Sequence, residues 1–335
     1  MAGIDVHHHW IPEEHVKNIE DYVRAGDTIK RVELTDGQVA RRVFRNGIPL
    51  ITMHGGSRFD VEDRIDRMDD AGVDKAVLTA ATWTSWLDTL ERCRFYNDSL
   101  AERVVNKHPD RFIGAAHVPV GTELAADELE RCVEDLGFQA VGIATHMHGY
   151  PPDHESYHPM YEKAEELDVP VLVHCAAAPI AENAMSEYDM GRIIGRPLDH
   201  HVAVGRLLRS DVFEKYPDLK VIHGHLGGTF MMQTFRYGRS AESLESRSMA
   251  KDSDALTKEQ YEERMKNNYF ATTFWNQPGI QFATTTLGTD RMVLGTDYPI
   301  RTHIMSDTTS AVRSLDITEE EKEQILHENI APLFE

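Results

Sequence analysis

The sequence is poor in cysteine and in positive charge, and it has no long apolar run. Cys93, Cys132 and Cys175 are the three cysteines, scattered without C-x-x-C spacing. An odd, scattered set argues against a disulfide framework and fits a reducing compartment, so cytoplasmic localisation is expected. No stretch reaches the roughly 18 apolar residues that a membrane-spanning helix needs. No basic segment followed by an apolar one opens the chain, so no secretory signal is expected. Lys and Arg number 35 against 56 Asp and Glu, a formal net charge of -21. That deficit argues against nonspecific nucleic-acid binding and against an anionic membrane surface. An anionic small molecule would need a local cluster of Arg or His to overcome this background. No internal repeat, linker or low-complexity tract is evident.

What is present is an alternation of short apolar runs with segments of helical period. The runs lie at 3–6, 74–80, 111–118, 138–145, 169–175, 219–224, 267–273 and 291–297. Helical segments are expected at 61–71, 85–107, 123–136, 159–167, 199–215, 229–246 and 278–286. Eight β/α units predict the α/β class and a closed (β/α)8 TIM barrel, with residues 1–335 forming a single domain. Continuous apolar runs fit strands buried on both faces. Residues 10–60 interrupt the pattern after the first strand, and their alternation from Ile29 to Phe44 predicts a small hairpin over the barrel mouth. Residues 176–198 form a second long loop, and loops of such length in compact domains are usually functional. The acidic patch 318–323 predicts the first turns of a solvated helix.

In such barrels the active site lies at the C-terminal ends of the strands. The first run continues as Asp5-Val6-His7-His8-His9-Trp10-Ile11-Pro12. His7 and His9 are two apart, so on a regular strand they share a face, with Asp5 behind them on that face and His8 on the other. Three adjacent histidines near a terminus also occur as a tag remnant or a solvated patch. Further strand ends carry His174, the pair His223 and His225, and Asp297. Several imidazoles with one carboxylate suit a borderline divalent ion and leave room for water or substrate. Otherwise His174 is a satisfied core histidine and Asp297 a helix cap before Pro299.

These segments resemble the amidohydrolase superfamily. Asp5 to Pro12 looks like its D-x-H-x-H-x-x-P opening. Val171-Leu172-Val173-His174, His225-Leu226-Gly227-Gly228 and Leu294-Gly295-Thr296-Asp297-Tyr298-Pro299 are similar to its amidohydrolase-2 branch, as are Arg64 to Val73 and Asn97-Asp98. That branch contains aminocarboxymuconate-semialdehyde decarboxylase and the resorcylate-type decarboxylases. The resemblance implies that His7, His9, His174 and Asp297 are metal ligands and that His225 and Asp297 are catalytic, His225 as acid/base. His223 is extra. Binuclear relatives bridge two metals with a lysine at the end of strand four. Here that strand runs into Thr145-His146-Met147-His148, so one divalent ion is expected, zinc first and manganese second. His146 and His148 would either make a second site, line the pocket or face solvent.

Arg236, eleven residues after His225, stands where decarboxylases of the branch carry an arginine for the substrate carboxylate, with Arg239 one turn away. Arg45 in the insert is a second candidate. Trp83, with Trp86, Phe274 and Trp275, is a candidate aromatic wall or a piece of core. The implied function is non-oxidative decarboxylation of an aromatic or muconate-like carboxylic acid, with a small-molecule carboxylate as substrate and a homodimer or tetramer as assembly. The alternative is hydrolysis of an amide, a lactone or a carbon–carbon bond of a ring-cleavage product by activated water. A metal-binding module without catalysis is the remaining reading.

Overall fold

A computed structural model describes residues 3–33, 39–53, 60–180, 185, 187–238, 256–273, 276–300 and 303–334. Eight parallel strands follow one another around a barrel: β1 (Gly3–His9), β5 (Val73–Thr79), β6 (Phe112–Ala116), β7 (Ala140–Ala144), β8 (Val171–His174), β9 (Val221–His223), β10 (Asn268–Ala271) and β11 (Met292–Val293). Past β11 the chain closes the ring by backbone bonds. Val6 N–H donates to Leu294 O at 2.9 Å, Asp297 N–H to His7 O at 2.8 Å and His9 N–H to Tyr298 O at 2.8 Å. The strands match the eight apolar runs, as expected for segments buried on both faces.

The helices between them start and stop on local signals. Asp60 caps Val61–Ala71 by accepting from Glu62 N and Asp63 N, and Gly72 ends it in the left-handed region. Thr89 caps Leu90–Leu100, so the expected helix 85–107 begins only there, after a separate turn at Ala81–Trp86. Ser210, in extended conformation, divides the expected helix 199–215 into Arg196–Arg209 and Val212–Lys215. Thr318 and Glu321 form a capping box for Glu319–Glu323, which accounts for the acidic patch. The segment expected as a helix over 229–246 is a turn at Phe230–Met232 and a short helix at Thr234–Gly238; the remainder lies outside the described residues. Among the described residues no helix is long and apolar enough to cross a membrane.

The insert holds an antiparallel sheet of three strands, β2 (Asp27–Glu33), β3 (Val39–Arg45) and β4 (Ile48–Met53), rather than the expected hairpin of two. The missed turn is Asn46-Gly47, with φ of 49° and 84° between the paired residues Arg45 and Ile48. Asn-Gly tolerates these angles and is the strongest short hairpin signal.

Inside the barrel, Ile4, Val6, Val77, Leu172, Ile222 and Val293 pack as one apolar cluster. Ile330, Ala331 and Phe334 from the chain's end complete it. A larger core lies between the strands and the helices.

Candidate metal centre

β1 is not a regular strand. Asp5 pairs with Ala76 but His8 pairs with Leu78, so Val6 and His7 together oppose Val77. This bulge changes the alternation of side chains. Val6 joins the interior cluster, while His7 and His9 both reach the mouth. Asp5 therefore does not share a face with His7, as regular alternation would require. Its carboxylate lies 2.8 Å from His8 Nδ1 and accepts from Thr296 N–H at 3.0 Å and Thr296 Oγ1 at 2.5 Å. Asp5 thus ties β1 to the segment that carries Asp297. His8 turns away from the site, as expected, and packs on the Tyr298 ring. Buried Arg64 reinforces this corner by donating to His9 O at 2.9 Å, with its guanidinium over Tyr298.

His7, His9, His174 and Asp297 each offer one ligand atom, all within 4.8 Å of one another. His9 Nε2 lies 2.9 Å from Asp297 Oδ1 and His7 Nε2 lies 3.4 Å from it. Neighbours fix the rings. His174 Nδ1 lies 2.8 Å from the Cys175 carbonyl and therefore donates, which leaves its Nε2 lone pair for the site. His9 Nδ1 lies 2.8 Å from Thr79 Oγ1. Burial pulls the pKa of His7 and of His9 down to about 4, against the opposing pull of the Asp297 carboxylate. Burial also lowers that of His174. For Asp297 burial pushes upward, but His7 and His9 at its carboxylate and the charge of His225 outweigh it and hold it well below the usual range. Near neutral pH the set is three neutral imidazoles and one carboxylate, the protonation state a divalent ion requires. His7 Nε2, buried without a hydrogen-bond partner, is an unsatisfied donor atom of the kind a bound ion satisfies.

His225 stands beside this set, its ring 5.0 Å from that of His7 and 6.1 Å from that of His174. It sits in a left-handed turn, with φ of 54° at His225, 53° at Leu226, 66° at Gly227 and 65° at Gly228. Non-glycine residues held there store strain and cluster at functional sites; Asp297 shares the feature at 65°. Gly224 is required by packing, because a Cβ there would lie 2.5 Å from His7 Cε1.

The site opens into a cavity of about 1000 Å³ whose wall includes His9, His174, His225 and Asp297. The small sheet contributes Arg42, Pro49, Leu50, Ile51 and Thr52, the segment between β8 and the helix Arg196–Arg209 contributes Tyr188, Asp189, Arg192 and Ile193, and that helix contributes Arg196. Trp83 lines it too, buried and edge-on to Trp86. Phe274 and Trp275 lie outside the described residues.

Neither arginine expected at the substrate lines the cavity. Arg45 is locked by buried Asp27, with Nε to Oδ1 at 2.7 Å and Nη2 to Oδ2 at 2.9 Å. Strand alternation puts Arg42 on the opposite face of β3, and Arg42 meets the cavity instead. Arg236 is exposed and donates to Gln233 Oε1 at 3.3 Å. Arg239 lies outside the described residues.

His223 is buried below the site, with Nε2 2.7 Å from Asn268 Oδ1 and its ring stacked on Phe270. His146 Nε2 lies 2.9 Å from Ala178 O, and His148 lies 3.5 Å from Asp88. Neither His146 nor His148 belongs to a cluster of candidate ligands among the described residues. Sequence reasoning passed over three buried groups. His117 accepts from Ala80 N–H at 3.0 Å, and its backbone is held by Asn97. His200 packs its ring 5.1 Å from that of His225. Cys175 follows His174 and lines the cavity. A strand-end search could have found His117 and Cys175; His200 sits mid-helix without a local signal.

With this geometry established, comparison with known proteins is direct. The amidohydrolase (Amidohydro_2) family profile matches residues 4–335. The chain belongs to the amidohydrolase family. Among its relatives, 2-amino-3-carboxymuconate-6-semialdehyde decarboxylase of Dictyostelium discoideum is 26% identical over 315 residues, 88% of this chain and 81% of the relative. Gamma-resorcylate decarboxylase of Polaromonas sp. is 30% identical over 304 residues, 82% and 87% of the two chains. These named relatives are carboxy-lyases. 2-Keto-4-carboxy-3-hexenedioate hydratase of Sphingobium sp. is 26% identical over 358 aligned positions, 100% and 96% of the two chains. In structure, the chain is similar to 5-carboxyvanillate decarboxylase of Novosphingobium aromaticivorans, solved with bound manganese and 3-methoxy-4-hydroxy-5-nitrobenzoic acid. The TM-score is 0.80 at 24% identity, covering 99% of this chain and 97% of that one. A 2,6-dihydroxybenzoate decarboxylase complexed with 2,6-dihydroxybenzoate has a TM-score of 0.78 at 21% identity, covering 100% and 99%. These structural likenesses establish the amidohydrolase TIM-barrel fold.

Proposed function

We propose that the protein is a metal-dependent, non-oxidative decarboxylase of an aromatic or muconate-like carboxylic acid. The observation that carries this reading is His225, an ionisable imidazole outside the four-donor set yet on the wall of the same cavity. His7, His9, His174 and Asp297 hold one divalent ion. The manganese of the carboxyvanillate decarboxylase supports manganese at least as well as the zinc favoured on donor chemistry. Held there, the ion would supply Lewis-acid stabilisation of negative charge on the substrate. His225 delivers a proton to the carbon that bears the carboxyl group. The carbon–carbon bond then breaks, its electron pair returns to the unsaturated system, carbon dioxide leaves, and His225 is reprotonated from solvent. Trp83 and the apolar face of the small sheet exclude water from that carbon and hold a flat substrate. Arg42 and Arg196 supply positive charge in an otherwise acidic protein. A homo-oligomer belongs to the reading: Arg236 lies exposed beside exposed Met232 and Phe235, a surface suited to a second copy.

The test is a set of 2,6-dihydroxybenzoate, 5-carboxyvanillate and an aminocarboxymuconate semialdehyde, given to manganese- and zinc-loaded protein. Carbon dioxide release is expected from at least one, with one deuterium at the vacated carbon when the reaction runs in deuterium oxide. Hydration is the second reading, favoured by the full-length match to the hydratase. It predicts a product heavier by one water and no carbon dioxide, and that result would sink the decarboxylase assignment.

A further inference from the structure

Arg42, Arg192 and Arg196 stand on the cavity wall. Arg192 is neutralised by Asp189, which accepts from its Nε at 2.8 Å and also from its Nη2. Arg42 and Arg196 have no carboxylate partner among the described residues, in a chain whose formal net charge is -21. Each instead uses one N–H on β4: Arg42 Nε donates to Thr52 Oγ1 at 2.6 Å and Arg196 Nη2 to Leu50 O at 2.5 Å. These anchors are two residues apart, about 7 Å of strand. Arginines from β3 and from the start of the helix Arg196–Arg209 thus converge on one short stretch of β4. The other N–H groups of both guanidiniums make no hydrogen bond among the described residues. Arg42 also stands directly opposite Lys30 in the β2–β3 pairing, and like charges so placed destabilise a sheet. Burial is the main cause of the lowered pKa of His174, and the charge of Arg196 adds to it, so the field of Arg196 reaches the metal centre. Two planar forks with unused donors are the geometry that pairs with a carboxylate.

We propose that Arg42 and Arg196 form a second anion site on the cavity wall and that the substrate is a dicarboxylate, with one carboxylate at the four-donor centre and the other at the two guanidiniums. The second carboxylate undergoes no chemistry. It neutralises Arg42 and Arg196, and it selects and orients the molecule. A ligand with a single carboxylate leaves both arginines unneutralised, and a site built to pair a polar group discriminates against an analogue that lacks it. Among aromatic acids the site therefore favours a benzene dicarboxylate over a hydroxylated benzoate, and among open-chain acids a muconate-like diacid over a monoacid. The inference rests on the reading that the protein acts on a carboxylic acid held at the metal centre; it does not depend on whether carbon dioxide or water is the small molecule exchanged.

Calorimetric binding to manganese-loaded protein tests this without turnover. Isophthalate, terephthalate and trans,trans-muconate are compared with their one-carboxylate counterparts, benzoate and sorbate. At least one diacid is expected to bind roughly tenfold or more tightly than its counterpart, the gain of one charge-assisted pair. Arg196→Gln and Arg42→Gln are each expected to remove most of that advantage while benzoate affinity and manganese content hold, and Arg196→Lys to restore part of it. Retained manganese also reports that each variant has folded. Equal binding of diacids and monoacids to the wild type, or an advantage that survives in both glutamine variants, would overturn the site. So would an equal loss of benzoate and diacid binding, which would put the arginines at the first carboxylate. A diacid preference that the variants lose, in a protein that releases no carbon dioxide from any substrate, upholds the site and removes the decarboxylase reading. Carbon dioxide release without a diacid preference does the reverse.

Discussion

The two ends of the barrel interior are built on the same strands and do opposite work. On β8, Leu172 faces an apolar cluster and His174, two residues on, faces the cavity. On β1, Ile4 and Val6 belong to the cluster and His7 and His9 to the site. The base gains stability by burying apolar surface, closed off by Phe334 and Ile330. The mouth buries imidazoles and a carboxylate, each desolvated and each dependent on its neighbours. Stability and chemistry are thereby separated by one residue along β1 and by two along β8, which lets the site vary without dismantling the barrel.

This division can be broken or sharpened in three ways. Asp297→Ala should leave purified protein with background metal and no turnover, measured by elemental analysis beside an activity assay. Retained metal would remove Asp297 from the ligand set. His225→Ala should keep its metal yet lower turnover by about 10²–10⁴-fold, the usual contribution of an acid or base. Full activity in that variant would refute the proton-delivery role. Leu172→Ala, at the base, should cost about 2–5 kcal/mol in chemical denaturation with the metal content of the folded protein unchanged. Lost metal without lost stability would mean that the two ends are not separable.

The smallest effect concerns His15, a histidine outside both clusters whose ring lies 5.5 Å from that of Trp83. His15 is stacked between Tyr22 and Phe95 with neither ring nitrogen hydrogen-bonded. Burial lowers its pKa from 6.5 to about 4. The unfolded chain therefore takes up this proton first, and the stability linked to it is present above 6.5 and is lost as the pH falls toward about 4. His15→Phe should flatten the decline of melting temperature in that window. An unchanged slope would show that His15 does not contribute to acid sensitivity.

The elements whose period is undisturbed were legible in the sequence. Buried parallel strands are continuous apolar runs, and the capped helices at Val61–Ala71 and Gln277–Thr286 announce themselves through Asp60 and Asn276. His7, His9, His174 and Asp297 could be picked out as candidate donors because each stands at the end of such a run. Asp5 was misread because a bulge is invisible to a rule of strict alternation. The pairing of Arg45 was not legible because its partner Asp27 stands 18 residues away, across a pairing between strands. Arg42, Arg196, Cys175 and His200 acquire their places only when separate segments meet.

By itself, then, the sequence determined the order of the β/α units, the positions of the strand ends and the chemical type of the donors, because local period and residue chemistry act within a few positions. The tertiary structure alone decided the 4.8 Å convergence of four donors, the choice of Arg42 over Arg45 at the cavity and the company that Cys175 keeps. Each of these depends on distances between residues far apart in the chain, set by barrel closure and strand register.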